Sequence, residues 1–214
     1  MVEQCVDINY LDLEENVNTF CRNEHMNYVS PYDLIFSNIK YQDELRKYKI
    51  WKELQKKLQE KVIQQYYDNI CYYNPNNISE ISNISTNKIK ELLNGTSFNT
   101  DDIANTIKYG ETLEHPINAI FLISMLRWES GHGWSELART HNNISSVKSR
   151  SGGWRAYDNY NECVLETIGL VSNQYLDPNG NYYNGKSIWS INEKYCETNE
   201  WADNINKIAS ELIN

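Results

Sequence analysis

Positive charge is what this sequence lacks most. Twenty Lys and Arg residues stand against 29 Asp and Glu, a formal net charge of −9. With no basic field to displace counterions, general nucleic-acid binding is excluded. Simple electrostatic adhesion to an anionic surface is excluded with it. Any hold on a negatively charged polymer must then come from a shaped, locally neutral groove. Long apolar runs are also missing. The longest, around residues 117–126, is too short for a membrane span, so no membrane insertion is expected. The N-terminal MVEQCVDINYLDLEENVN has no basic stretch followed by an apolar one, and no secretory signal is read there. Cys5, Cys21, Cys71, Cys163 and Cys196 are widely spaced and include no CxxC pair. That argues against a zinc site or a disulfide framework and for reduced, mostly buried thiols. His132 and His141 lack partners at metal-ligand spacing. No metal and no cofactor is expected, and there is no internal repeat.

What is present is helical periodicity. Leu45, Tyr48, Trp51, Leu54, Leu58, Val62, Tyr66 and Ile70 recur at three- and four-residue steps, one face of a long helix. Glu53 and Lys57 are spaced for an i,i+4 pair on it. Upstream, a short helix around residues 10–22 is expected from a weaker pattern. The polar, turn-rich NPNNISEISNIS at 74–85 reads as a domain boundary. It divides a helical N-terminal region, 1–80, from a domain at 81–214. Helices follow at 85–93 and from Thr100 to about Gly110, with Pro116 expected in the first turn of a third. That third helix is apolar nearly all round and belongs mid-domain. Gly152-Gly153 and the residues around them suggest turns with one or two short strands. Asn159 is placed to cap a helix carrying Val164 to Tyr175, DPNGNYYNGKS reads as a loop, and Trp201 to Leu212 as a closing helix. The expected class is α+β, mostly helical, with a small β or irregular lobe around 141–160.

Glu129 lies where the buried helix gives way to Ser-Gly-His-Gly. Desolvation disfavours an ionised carboxylate and raises its pKa, which suits a general acid near neutral pH. Glycoside hydrolysis needs such a group to protonate the leaving oxygen. Nearby Trp134, Trp154, Tyr157 and Tyr183 offer flat surfaces for sugar rings, and Trp128 serves equally as core. Glu162 has two readings. It is a second acid, or it closes the Asn-x-x-Glu cap begun by Asn159.

From Ser85 onward the chain resembles the glucosaminidase family of peptidoglycan hydrolases, the family 73 glycoside hydrolases. The pieces occur in order: ISTNKIKELLNG, HPINAIFLISMLRWESGHGWSELA, HNN, VKS, GGWRAYDNYNECV, YLDPNGNYYNGKS and INEKYCETNEW. Glu129-Ser130-Gly131, Gly133, Ser135 and Ala138 carry the signature. The resemblance implies a lysozyme-like fold with Glu129 as general acid. It implies that Tyr195, with Trp201 six residues on, orients the substrate's N-acetyl group or the reacting centre, and that Asn142 and Asn143 anchor the loop into the β-lobe. Ser130 and Asn143 join the aromatic residues as expected substrate contacts. The family has a bulky residue and then glycine after the asparagines, where this chain reads Ile144-Ser145-Ser146. Its second acid is poorly fixed by motif; Glu162 and Asp158 are the candidates, and the substrate's acetamido oxygen is the alternative.

The expected activity is endo-β-N-acetylglucosaminidase action on the glycan strands of bacterial peptidoglycan, at the cell wall. The rivals are a muramidase or lytic transglycosylase of the same fold, or a non-catalytic wall-binding component of a phage tail or similar machine. Residues 1–80 are expected to attach the enzyme to a virion partner or to another copy of itself, with phage-type delivery or release by another route taking the place of a secretory signal.

Overall fold

The computed structural model describes residues 31–198 and 200–214. The helix expected at 10–22 lies outside the described residues, as do Cys5 and Cys21. The chain divides into two units, 1–58 and 59–214. Helix α1 (Pro31–Ile70) runs from the first into the second, beginning at a proline that suits the first helical position. The Glu53–Lys57 pair forms at 2.8 Å between two exposed side chains and adds little stability. The stripe Trp51, Leu54, Leu58, Val62, Tyr66 and Ile70 is solvent-exposed. Among the described residues, no helix is long and apolar enough to cross a membrane.

The second unit holds α2 (Thr86–Leu92), α3 (Asp101–Gly110), α4 (Ala119–Ser130), α5 (Glu136–His141), α6 (Tyr160–Leu170), α7 (Ile188–Tyr195) and α8 (Glu200–Ile213). Each of the first six begins with a side-chain cap. Ser85, Thr100, Asn118, Ser135, Asn159 and Ser187 accept backbone N–H bonds at their starts. Helix α4 starts at Ala119 with Asn118 as its cap, so Pro116 lies before the helix and not in its first turn. The reason is local: the Asn118 side-chain oxygen takes the orphan N–H groups of Ile120 and Phe121. Residues 119–126 of α4 are buried on every side, packed most closely on α8 and also on α2 and α3.

The turn-rich tract at 74–85 is woven into this unit and does not link it to another. Ile78 and Ile84 are fully buried. Backbone bonds join Ile78 N–H to the Lys186 carbonyl (2.9 Å) and Ile188 N–H to the Pro75 carbonyl (2.9 Å). Asn118 Nδ2 donates to the Tyr72 and Glu80 carbonyls. Glu111, buried, holds the tract to the start of α4. Its Oε1 accepts from Ser82 N–H, Ser82 Oγ and Ala119 N–H, and its Oε2 pairs with Lys108 Nζ at 2.9 Å. The compact unit therefore begins at Gln59, inside α1, well before the boundary expected near residue 80.

The strands expected near 141–160 reduce to one isolated antiparallel bridge, Lys148 with Trp154. The turn through Gly152 and Gly153, both at positive φ, leaves the hairpin too short for a ladder. Helix α6 ends at Leu170 and continues as a π-helical turn, Val171–Leu176. Cys71 and Cys163 are buried, Cys196 is half-buried, and all three are free thiols.

Candidate active site

Glu129 occupies the last turn of α4. Gly131, in the left-handed region at φ 55°, ends the helix directly after it. Gly133 (φ 86°) lets the chain pass close to the α2–α3 loop; a Cβ there would lie 2.1 Å from Ser97 Oγ and 2.8 Å from Phe98. This sharp exit leaves the Glu129 side chain half-buried at the end of a buried helix. Its Oε1 accepts a 2.7 Å bond from Trp201 Nε1 of α8. Burial pushes its pKa up, while the hydrogen bond from Trp201 opposes that shift.

Tyr195, the last residue of α7, lies against Trp201, with ring centroids 4.7 Å apart. Its hydroxyl donates to the Ser145 carbonyl at 3.2 Å. Burial, followed by the Glu129 charge, holds that phenol far above its usual range, so it is a neutral donor. Tyr175, on the π-helical turn, packs on Tyr195 at 5.6 Å and on Tyr182 at 5.2 Å. An aromatic series thus runs from exposed Tyr182 inward to the indole that grips Glu129.

The Ser145-Ser146 loop closes the other side. Ser146 Oγ donates to the Glu129 carbonyl at 3.2 Å. Ser146 adopts φ 55°, the left-handed conformation that favours glycine. The Ser145-Ser146 loop thus takes a glycine-like turn without a glycine. Asn143 braces it, with Nδ2 donating to the Val147 and Arg155 carbonyls and Oδ1 accepting from Val147 N–H. Asn142 Nδ2 donates to the Tyr157 and Asp158 carbonyls. The paired asparagines fasten the base of the hairpin lobe.

Several residues expected to touch substrate are placed otherwise. Ser130 is fully buried, donating to the Leu126 carbonyl (2.6 Å) and accepting from Gly133 N–H (2.7 Å). Asn143 is buried and spends its amide on the loop. Tyr157 is buried too, its ring 5.5 Å from the Arg155 guanidinium. Direct substrate contact does not fit these three, because their polar groups or faces are already covered by protein. Trp134, Trp154 and Tyr183 are exposed and free to meet a ligand. Glu162 is exposed at the start of α6. Its N–H donates to Asn159 Oδ1 and its Oε2 accepts from Asp158 N–H at 2.9 Å, a cap that engages the carboxylate. Trp201 and Ser146 as direct partners of Glu129 were not legible in the sequence. The spacing of Trp201 after Tyr195 was the one available signal.

The architecture is the lysozyme-like class, mostly helical with a minimal β-lobe. No family model and no curated protein matches the chain. Among solved structures it is similar to S. aureus autolysin E, with a TM-score of 0.53, 19% identity, and coverage of 68% of this chain and 72% of that one. Two complexes of that protein match alike. One is a glutamate-to-alanine catalytic mutant with the disaccharide NAG-NAM (TM-score 0.54, 19% identity, coverage 68% and 74%). The other holds the muropeptide NAM-L-Ala-D-iGlu (TM-score 0.54, 20% identity, coverage 69% and 74%).

Proposed function

We propose that this protein is a glycoside hydrolase that cleaves the glycan strands of peptidoglycan, as an endo-β-N-acetylglucosaminidase with Glu129 as general acid. The observation that carries this reading is the Trp201–Glu129 hydrogen bond beside a half-buried carboxyl group. An indole N–H can only donate. Glu129 Oε1 is therefore an acceptor in either charge state, and the acid proton is left to Oε2. Burial raises the pKa of the group above the ordinary glutamate range, the direction a general acid needs. The shared fold with an autolysin crystallised with NAG-NAM and with a muropeptide supports the choice of polymer.

Protonation of the glycosidic oxygen by Oε2 releases the leaving sugar. Among the described residues, Trp201 bonds the Glu129 carboxyl group and Ser146 bonds its backbone carbonyl, neither of them a carboxylate, and Glu162 is engaged in its cap. In this reading the substrate's own acetamido oxygen attacks the anomeric carbon, as in substrate-assisted glycosidases. The Glu129 carboxylate then takes a proton from the water that completes hydrolysis. Glu129→Gln, which can still accept from Trp201, should abolish release of reducing ends from purified peptidoglycan while the chain stays folded. Substantial residual turnover would overturn the assignment. Mass spectrometry of the wild-type digest should show GlcNAc at the new reducing ends; muramic acid or 1,6-anhydro ends would assign the bond to a muramidase or a transglycosylase.

A further inference from the structure

Between Leu137 and Tyr157 the chain carries Arg139, Lys148, Arg150 and Arg155 and no Asp or Glu. In a protein of net charge −9, this segment is locally cationic. The neutral groove expected from overall composition does not describe it. Lys148 and Arg150 are exposed on the hairpin lobe. Among the described residues neither has a carboxylate at ion-pairing distance, whereas Arg155 is paired with Glu166 at 2.9 Å. The Lys148 ammonium lies 6.0 Å from the ring centre of exposed Trp154 across the bridge. A flat apolar face and two unpaired cations therefore share one small lobe.

The lobe is rooted at the candidate acid. Ser146 Oγ bonds the Glu129 carbonyl, and Lys148 follows two residues on. Two residues of chain span at most about 7 Å, and the four to Arg150 about 14 Å. These cations thus fall within a few sugar lengths of the bond under attack.

We infer that the Lys148–Arg150 hairpin is a binding surface for the carboxylates of the peptide stems borne by the glycan. The inference rests on the proposed peptidoglycan reading and names the part of the polymer the lobe recognises. A stem hangs from every second sugar, so one lies near any cleaved bond. Sparse anionic polymers attached elsewhere on a wall do not meet that spacing. Uncompensated cations also attract carboxylates over about a Debye length, 8 Å at physiological salt.

The test compares the full chain with its Lys148→Gln/Arg150→Gln variant on two polymers. One is peptidoglycan freed of teichoic acid; the other is the same glycan after enzymatic removal of its peptides. The variant should raise KM on the peptide-bearing polymer about three- to tenfold, as expected for exposed charge pairs, with kcat within about twofold. On the stripped glycan its KM should match wild type, and added salt should erase the wild-type advantage. An equal effect on both polymers, or none on either, overturns the inference. Co-sedimentation in a Glu129→Gln background separates binding from turnover. Peptide-dependent retention lost with the hairpin charges, in a chain that releases no reducing sugar even as wild type, would sink the glycosidase reading and keep this one. Turnover without peptide dependence would do the reverse. Hairpin-dependent retention on teichoic-acid-bearing walls that survives peptide removal also overturns it.

Discussion

Trp201 and Glu129 form the pair on which the chemistry turns. The indole N–H stabilises the ionised carboxylate, so its removal should let the Glu129 pKa rise further. Trp201→Phe keeps a ring against Tyr195 and loses only the donor. The basic limb of the kcat/KM profile should move to higher pH, and kcat/KM should fall by roughly tenfold to a hundredfold, the worth of a hydrogen bond to a charged group. A purely structural tryptophan would lower Tm without moving that limb. Linkage gives a second signature. Burial raises the folded-state pKa of Glu129 above its unfolded value. The folded state then holds a proton that the unfolded state releases, and stability falls as pH rises from the ordinary glutamate range through the folded pKa. The Glu129→Gln variant escapes that loss. Its Tm should exceed wild type at pH 7, with the difference shrinking as pH is lowered below the ordinary glutamate range. A variant less stable than wild type at neutral pH would show that the carboxylate is not desolvated as the geometry implies.

At the scale of elements, Glu111 joins three pieces that the sequence separates: the 74–85 tract, the end of α3 and the start of α4. Glu111→Ala would leave Ser82 N–H, Ser82 Oγ and Ala119 N–H without their acceptor, while the Lys108 ammonium keeps the Ile84 carbonyl. Leaving a buried donor without an acceptor costs roughly 1–3 kcal/mol. Chemical denaturation should show a loss of that order, and hydrogen exchange at Ser82 should quicken before exchange in α4. Unchanged protection at Ser82 would mean that Ile78 and Ile84 hold the tract alone. Most helices were legible from caps and periodicity. Thr100, Ser85 and Asn159 announce their helices because a short polar side chain before an apolar period satisfies orphan N–H groups. Short α5 and α7 were missed, since six or eight residues carry too little periodicity to stand out.

For the whole molecule, the domain limit is the consequence most open to test. The second unit includes the end of α1 as well as the 71–85 tract. Asp68 accepts from Ser85 N–H and Oγ, the latter at 2.7 Å, and Gln64 donates to the Asn83 carbonyl. A chain of residues 59–214 should unfold cooperatively and give dispersed amide spectra. A chain of 81–214 loses Cys71 and Ile78 from the core and should not fold stably, because deletion of one large buried side chain alone costs about 2–5 kcal/mol of a total near 5–15. A well-folded 81–214 fragment would restore the boundary at residue 80.

The sequence by itself determined the mostly helical class, the buried helix α4, and the placing of Glu129 at its end. These follow from local rules: apolar periodicity, capping side chains, and a glycine that stops a helix. The candidate general acid was therefore legible along with its likeness to a family. Tertiary structure alone decided what surrounds it. Trp201 lies 72 residues downstream, and no local pattern states that its N–H will reach a carboxyl oxygen. Ser130, Asn143 and Tyr157 have the chemistry of ligand contacts, yet packing closes over them. The NPNNISEISNIS tract has the composition of a linker, yet long-range hydrogen bonds and the buried Ile78 and Ile84 tie it into the second unit. Net charge is a sum over the whole chain, whereas a ligand meets only the field of the lobe that faces it. What the tertiary structure decided is pairing: Arg155 meets Glu166, while Lys148 and Arg150 have no carboxylate at ion-pairing distance among the described residues.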